Sequence, residues 1–339
     1  MKNKLLAVMA SLGMVATASA VKVNNNLSIN GFIDGSYNYV NVDGSDADDS
    51  QGLGLDEIEL NFDINVGSVS GSIHIDNNQR QSVTTQTGVI VHSNNASEDN
   101  GTTESQDLGE SLNIEQAHFT YSINDAVSVT FGRYGAALGF EREDPAGLYT
   151  YSRAYDADSL FNLGNVDAAA VEGITIAYSA DALSLAASLE ESADANLEVE
   201  DLNLELSFSY TGFQGVTIGG GYFFDNQQVA ANEINILNLH ASKQIGKLLL
   251  AGEYIELKND AADRDAYMLL ADYDLNDKVG AALRISSNEQ GANVGDYDKI
   301  TIAPNYAITD SLGAIIEYSD VSDNNVDSQE FAVELTYTF

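Results

Sequence analysis

The sequence contains no cysteine, no tryptophan and only two prolines. The absence of cysteine excludes disulfide bonds and thiol chemistry. Proline removes a donor from a strand ladder, so Pro145 and Pro304 are the two positions where it could interrupt a β-strand. Tyrosine and glycine are plentiful, with 17 and 28 copies. Tyrosine suits a boundary between water and lipid, and glycine suits tight turns and close strand packing.

Basic residues are also scarce, with 14 Lys and Arg against 52 Asp and Glu and a formal net charge of −38. This charge argues against nucleic acid as a partner, because phosphates would be repelled. It also argues against a basic membrane-surface protein. The excess favours cations as partners or passengers. The alternative is that acidic loops only solubilise a protein that lives in salty surroundings.

No apolar run of membrane-helix length follows residue 20, so a membrane location would require a β-barrel. Residues 1–20 have a basic start (Lys2, Lys4), an apolar run and a small-residue cleavage site at Ala18-Ser19-Ala20. This layout is typical of a secretory signal peptide, with a buried amphipathic helix as the alternative. We expect a signal peptide over 1–20 and a single domain over 21–339.

The final stretch, 328–339, has the clearest strand pattern. Large apolar residues occupy every second position from Phe331 to Phe339, with small or polar residues between them, which is typical of a strand with one apolar and one wet face. Similar runs predict about sixteen strands, at 27–40, 53–66, 69–77, 111–123, 127–134, 166–179, 182–192, 199–210, 215–225, 233–244, 247–258, 264–275, 278–288, 297–308, 311–320 and 328–339. The alternation slips near Glu172 and near 248–250, where we expect bulges or a different register.

The connections between these runs alternate in length. A tight set lies at 67–68, 124–126, 180–181, 211–214, 245–246, 276–277 and 309–310, and a longer set begins with 41–52, 78–110 and 135–165. Membrane-spanning barrels have short periplasmic turns and longer extracellular loops, whereas a soluble β-sandwich has no reason to sort its loops. The sequence therefore predicts an all-β fold, a transmembrane antiparallel β-barrel of about sixteen strands.

This layout is similar to that of the Gram-negative general porins, including the long third loop and the terminal Phe339. The segment GRYGAALGFEREDPAGLYTYSRAY (132–155) resembles the corresponding segment of OmpL-like β-barrel porins. The resemblance implies an outer-membrane location, contact with lipid and lipopolysaccharide, and a possible homotrimer. It also implies that Tyr337 and Phe339 form an assembly signal. General porins set acids of the inward loop against a ladder of arginines on the wall. This sequence departs from that pattern, because Arg284 is the main basic candidate on the inner faces.

Porins act through the charge and shape of the lumen, so its lining residues are the candidate site. Strand parity predicts that acids line it, together with Arg284: Asp34, Glu57, Glu59, Asp63, Asp76, Glu115, Glu190, Glu205, Asp272, Glu317 and Glu334. We expect these acids to favour cations, the alternative being that they only keep the lumen wet.

The loop 135–165 combines charged residues with apolar anchors and a Pro-Ala-Gly turn, which indicates an ordered loop rather than a mobile one. We expect it to fold inward and to form the constriction with Glu141, Arg142, Glu143, Asp144, Arg153, Asp156 and Asp158.

The leading hypothesis is an outer-membrane porin for passive diffusion of small hydrophilic solutes, with a preference for cations. The alternatives are a non-conducting structural or adhesion barrel and a soluble β-sandwich. We expect no enzymatic activity, cofactor or metal. The four histidines show no catalytic or metal-binding spacing, and the acidic loop Asp43–Ser50 lacks the offsets of a helix–loop–helix calcium site.

Overall fold

The computed structural model describes residues 20–43, 49–78, 83–84, 90–91, 112–141, 145–155, 170–191, 202–225, 234–259, 263–289, 296–323 and 326–339. Residues 1–19 of the predicted signal peptide, residues 142–144 and residues 156–169 lie outside these ranges. Within the described ranges, no helix is long and apolar enough to cross a membrane.

Sixteen long strands, numbered here in chain order, form one antiparallel sheet. They are β1 (Leu27–Val42), β2 (Ser50–Val66), β3 (Val69–Asn78), β4 (Asn113–Ser122), β5 (Val127–Gly135), β6 (Ala170–Ala180), β7 (Leu183–Glu190), β8 (Asn203–Phe213), β9 (Val216–Phe224), β10 (Ile234–Ile245), β11 (Leu248–Asn259), β12 (Arg264–Asp274), β13 (Val279–Glu289), β14 (Tyr297–Ala307), β15 (Leu312–Asp323) and β16 (Val326–Thr338).

Each strand pairs with the next, and β16 pairs with β1 from Ser328↔Val42 to Thr338↔Phe32, which closes the sheet into a barrel. Closure removes the open edges that a membrane would not tolerate. The predicted all-β antiparallel barrel of sixteen strands is therefore confirmed. The short strand Val21–Lys22 pairs with β1, a separate small ladder joins Val83–Thr84 to Ile90–Val91, and a 3₁₀ turn covers Pro145–Gly147.

The apolar faces of the strands point away from the barrel axis and carry tyrosines near both ends. At the short-turn end, six tyrosines each pair with the first residue of the adjacent strand. They are Tyr121, Tyr178, Tyr210, Tyr273, Tyr306 and Tyr337. At the other end Tyr254 pairs with Tyr267, and Phe331 pairs with both Tyr39 and Tyr318. Two aromatic girdles around an apolar band are typical of a barrel that spans a membrane.

The register corrects two expectations. Near Glu172 and near 248–250 the ladders run without a shift, so the predicted bulges are wrong. Glu172 faces outward in the same row as Ile174 and lies 3.8 Å from Arg133, whereas Leu249 is a buried apolar residue on the inner face. The alternation looked broken because a charge interrupts the outer face in one place and the inner face is apolar in the other.

Register shifts occur instead between Asp34 and Gly35 on β1, between His74 and Ile75 on β3, and between Tyr210 and Phe213 on β8. The last shift accompanies a strand that continues to Phe213, so the turn lies at 214–215 rather than at 211–214. An extra residue at a bulge re-aims the side chains beside it. This effect is important at Glu115, described below.

The chain end packs closely against the first barrel strand. The backbone N–H of Phe339 donates to the Gly31 carbonyl at 3.1 Å, and the Gly31 N–H donates to the Phe339 carbonyl at 3.2 Å. A Cβ at Gly31 would lie 2.2 Å from the Glu59 carbonyl oxygen and 3.0 Å from the Phe339 ring. Glycine at this position therefore leaves room for the terminal aromatic side chain.

Candidate functional site

The inner face of the barrel carries most of the polar strand residues, and many of them are buried. Asp34, Glu57, Glu59, Glu190, Glu205, Asp272, Arg284, Glu317 and Glu334 are all less than 9% exposed, whereas Asp63, Asp76 and Glu115 are half-buried. Burial inside a barrel means that other protein groups occupy part of the lumen.

The occupant is the chain that follows β5, residues 136–141 and 145–155, named here the inner segment. Its backbone N–H groups donate to side chains on three strands: Ala137 to Glu205 Oε1 at 3.0 Å, Gly139 to Asn238 Oδ1 at 3.2 Å and Phe140 to Glu253 Oε1 at 2.6 Å. Contacts on the inner faces of β8, β10 and β11 place this segment inside the barrel.

Arg284 on β13 is the central contact of the inner segment. Its Nη1 donates to both carboxylate oxygens of Glu141 at 3.1 and 3.0 Å, to Thr150 Oγ1 at 2.6 Å and to the Ser152 carbonyl at 2.7 Å. Its Nη2 donates to Ser152 Oγ at 3.1 Å and to the Arg153 carbonyl at 2.7 Å. The planar guanidinium suits this role because it presents several donors in a fixed fork.

Glu141 in turn organises the segment around this contact. Its Oε2 accepts the Ala154 N–H at 2.7 Å, and its backbone carbonyl accepts Arg153 Nη1. Both Arg284 and the Glu141 side chain are almost completely buried, at 0% and 5% exposure. The Glu141 carboxylate and both Nη groups of Arg284 are therefore hydrogen-bonded internally, and the pair does not present an open charge to the lumen.

Two wall glutamates fix the remainder of the segment. Glu253 on β11 accepts from Asn238 Nδ2 at 2.7 Å and from the Tyr155 hydroxyl, in addition to Phe140. Glu317 on β15 accepts from the Ser152 N–H at 3.0 Å and from the Ser152 hydroxyl. Each of these buried carboxylates therefore accepts more than one hydrogen bond, as buried polar groups require.

Apolar packing covers the area between these polar contacts. Leu138, Tyr149, Ala154 and Tyr155 of the inner segment belong to one buried cluster with wall residues Phe223, Ile236, Leu249, Ala251, Ile255, Leu257, Ala266, Met268, Leu270, Ala282 and Ala303. A Cβ at Gly221 on β9 would lie 2.7 Å from Leu138 Cδ2 and 2.0 Å from the Leu206 carbonyl oxygen. The inner faces of β10–β15, named here the packed side, therefore form a hydrophobic core inside the barrel.

The inner faces of β1–β4, named here the acidic side, are different. Asp63 accepts from Asn30 Nδ2 at 2.7 Å and from Ser72 Oγ at 2.9 Å, and it remains half-buried. His74 Nδ1 lies 3.0 Å from Glu59 Oε1 and 4.0 Å from Glu115 Oε2. The inner segment reaches this side through Tyr151, whose hydroxyl lies 3.1 Å from Ser36 Oγ.

The structure brings Glu141, Arg153, Arg284 and Glu317 of the predicted site together, and it disperses the other predicted wall acids around the barrel. Arg142, Glu143, Asp144, Asp156 and Asp158 lie outside the described residues, as do residues 44–48 of the acidic outer loop.

Sequence reasoning missed the wall residues Glu253 and Lys299. Lys299 on β14 is 2% exposed and lies 2.7 Å from Glu330 Oε2. The sequence signal for Lys299 is the outward-facing pair Ile300 and Ile302, because alternation then directs Lys299 to the inner face. Glu253 was hidden because the inner face of β11 is otherwise apolar.

Comparison with known proteins agrees with this architecture. The sequence model of the family described as "Putative beta-barrel porin-2, OmpL-like" matches residues 26–337. The chain belongs to this family. The protein is thus a porin-like β-barrel of the outer membrane. No curated protein sequence matches it.

Solved structures share the fold at low sequence identity. An anion-selective porin from Comamonas acidovorans has a TM-score of 0.64 at 12% identity, with 92% of this chain and 99% of that chain covered. OmpF of Salmonella typhi, in complex with daunomycin, has a TM-score of 0.63 at 13% identity, with 94% and 100% covered. OmpT of Vibrio cholerae has a TM-score of 0.59 at 14% identity, with 95% and 100% covered. These similarities establish the fold and leave selectivity to the residues of this chain.

Proposed function

We propose that the protein is a channel for passive diffusion of small hydrophilic solutes and that it prefers cations. The observation that carries this proposal is the asymmetric lumen. The inner segment is anchored on the packed side through Arg284, whereas half-buried carboxylates such as Asp63 and Asp76 lie on the acidic side. A passage lined by carboxylates concentrates cations and repels anions.

In this proposal the inner segment narrows the passage, and residues 142–144 and 156–158 contribute to its charge. Buried groups such as Glu141 hold the segment in place. Charged side chains that are exposed to the lumen then determine selectivity, because charges within about 8 Å of a passing ion are weakly screened at physiological salt. The proposal includes no catalytic step and no cofactor.

Planar-bilayer recordings of the folded protein test this proposal. We expect stable conductance steps and, in a potassium chloride gradient, a reversal potential of the sign that indicates cation preference. Anion preference, or equal permeability of the two ions, would refute the proposed selectivity.

A non-conducting barrel is the second candidate, because so many inner side chains are buried. In that case the loops would bind a surface partner. A protein that is folded, as judged by heat-modifiable gel mobility, yet silent in bilayers would support this candidate over the channel.

We also propose export through the signal peptide over 1–20, contact with lipid and lipopolysaccharide, and assembly into a homotrimer. One of the OmpT structures of Vibrio cholerae is described as a trimer form. Mass measurement in detergent tests the trimer. If deletion of residues 94–104 leaves a measured trimer intact, that loop does not latch neighbouring subunits.

The terminal aromatic residue supplies a test of assembly. Phe339 stacks on Tyr337 with ring centroids 6.0 Å apart and packs over Gly31. We expect Phe339→Asp to reduce the folded protein in outer membranes, because it places a charge at the end of the lipid-facing row. Glu334→Gln on the inner face of the same strand is the matched control. Normal levels of folded Phe339→Asp would contradict this role.

A further inference from the structure

A cluster of one histidine and two glutamates lies on the acidic side, away from the inner segment. Glu59 on β2, His74 on β3 and Glu115 on β4 each offer one ligand atom, and these three atoms lie within 4.8 Å of one another. Imidazole nitrogen and carboxylate oxygen are common ligands of divalent transition metals such as Zn²⁺.

The bulge on β4 is what brings Glu115 into this cluster. Phe119 faces outward, in the same row as Ala117. Unbroken alternation would therefore turn Glu115 outward, so strand parity alone does not explain the inward position predicted for it. The register shift pairs His74 with Gln116 and Ile75 with Ile114, which leaves Glu115 as the extra residue. Bulges often re-aim a side chain at a functional site.

Glu59 provides an independent observation that points to a cation as its ligand. Its side chain is 0% exposed, and neither of its carboxylate oxygens makes a hydrogen bond to the part of the chain that the structure describes. It contacts His74 Nδ1 at 3.0 Å, and among the described residues that nitrogen has no hydrogen bond of its own. A fully buried carboxylate without donors is strongly disfavoured unless a cation compensates it.

The surroundings of His74 orient its imidazole for ligation. Ser72 Oγ donates its single proton to Asp63 Oδ1 at 2.9 Å, so it is free to accept from His74 Nε2–H at 3.0 Å. This arrangement leaves the lone pair on Nδ1, directed toward the two carboxylates. Metal-binding histidines commonly donate their other ring N–H to a neighbouring group in this way.

The distances require little adjustment to hold an ion. Two ligand atoms of a tetrahedral Zn²⁺ lie about 3.3 Å apart, given metal–ligand distances of about 2.0–2.1 Å. His74 Nδ1 and Glu59 Oε1 are already at 3.0 Å, and Glu115 Oε2 at 4.0 Å must approach by about 0.7 Å. His74 and Glu115 are 19% and 15% exposed, which gives an ion access from the lumen.

We propose that Glu59, His74 and Glu115 form a binding site for one divalent transition-metal ion on the lumen wall. Three protein ligands leave a coordination position for water or a solute on the lumen side. The imidazole favours Zn²⁺ or Co²⁺ over Mg²⁺ and Ca²⁺, which prefer oxygen ligands alone. The metal site requires the folded barrel but not ion conduction. A failed metal-binding test would therefore leave the proposed channel function unaffected, and the reverse is also true.

Calorimetric titration of the folded full-length domain with ZnCl₂ tests the proposal. An excess of Mg²⁺ in the buffer occupies the many exposed carboxylates, so that only a selective site gives a signal. We expect one saturable equivalent of Zn²⁺. We also expect Glu59→Gln and His74→Gln each to lower the affinity at least about tenfold.

His118→Gln is the matched control. His118 is a second imidazole on the inner face and lies outside the three-residue cluster. Its ring meets the Tyr134 ring edge to face, with centroids 6.4 Å apart. The His118→Gln variant should bind Zn²⁺ with the affinity of the unmodified protein. If Glu59→Gln does not fold, the partly exposed Glu115→Gln replaces it, with gel mobility as the check of folding.

Co²⁺ supplies an independent spectroscopic signature, because its visible absorption bands report imidazole and carboxylate coordination. We expect these bands in the unmodified protein and in His118→Gln, and their loss in His74→Gln. The proposal is wrong if Zn²⁺ does not bind in excess Mg²⁺, if His74→Gln binds as tightly as the unmodified protein, or if His118→Gln loses binding equally.

Discussion

The packed side and the acidic side of the lumen belong to one continuous sheet, but they handle polar groups in opposite ways. On the packed side Arg284, Glu253 and Glu317 are buried and each contacts several groups of the inner segment. On the acidic side Asp63 and Asp76 remain half-buried, and Glu59 is buried with no hydrogen bond from any residue that the structure describes. One side resembles the core of a soluble domain, and the other resembles the wall of an aqueous passage.

This difference shows that a barrel lumen need not be uniform. Polar residues on an inner wall can serve as anchors for an inserted segment or as the lining of a passage. The number and quality of their contacts distinguish the two uses, because a buried charge is tolerated only when it is paired and hydrogen-bonded. The acid content of the chain alone does not separate anchors from lining.

Removal of Arg284 should produce the largest effect on the packed side. Arg284→Met leaves Glu141 buried without its cation and should destabilise the inner segment by about 3–5 kcal/mol. We expect faster proteolysis within residues 136–155 and a larger single-channel conductance, while the barrel itself remains folded.

The double variant Arg284→Met, Glu141→Leu is the control for that experiment. Because it removes both charges, it should recover part of the lost protection. Equal protease sensitivity of the unmodified protein and Arg284→Met would mean that this contact does not hold the segment.

A smaller effect is expected at Gly221 on β9, where Leu138 of the inner segment packs against the wall. Gly221→Ala places a methyl group against the Leu206 carbonyl and Leu138, so it should lower stability by about 1–3 kcal/mol. Gly313→Ala on β15 is the matched control, since nothing lies within 4 Å of its Cβ position. Thermal unfolding in detergent measures both, and equal midpoints would contradict the close packing.

The smallest effect is expected outside the lumen. Asp43 accepts from Gln329 Nε2 and Asp49 accepts from the Tyr39 hydroxyl, and both acids lie at exposed positions on the loop side of the strands. Asp43→Asn with Asp49→Asn should therefore shift the reversal potential only slightly, because exposed charges are screened by salt. A large shift would move the selectivity region from the lumen to its entrance.

Much of the fold follows from alternation in the sequence. Apolar residues at every second position, such as Ile300 and Ile302, identify a strand and its two faces. The alternation of short turns with long loops indicates which end of each strand lies on the periplasmic side. Two features of the inner faces depart from simple alternation. Glu115 reaches the inner face through a bulge, and the inner face of β11 is apolar because the inner segment covers it. Both features depend on residues distant in the chain, which a local pattern does not contain.

The candidate site was predictable in composition but less so in detail. The sequence identified Glu141, Arg153 and Arg284 as important, and it indicated an inward loop from the apolar residues near Pro145. It did not indicate that Glu141 and Arg284 neutralise each other in a buried contact. It also did not separate the clustered Glu59, His74 and Glu115 from the other acids, because that grouping depends on the register of three adjacent strands.

The most direct test compares the two sides by ion selectivity. Asp63→Asn with Asp76→Asn removes two half-buried carboxylates from the acidic side, and Glu253→Gln removes one carboxylate from the packed side. Reversal potentials in a potassium chloride gradient, without added divalent metal, should show reduced cation preference in the first variant and little change in the second. If the reversal potential is unchanged in the Asp63→Asn, Asp76→Asn variant and shifts strongly in Glu253→Gln, the acidic side does not determine cation preference.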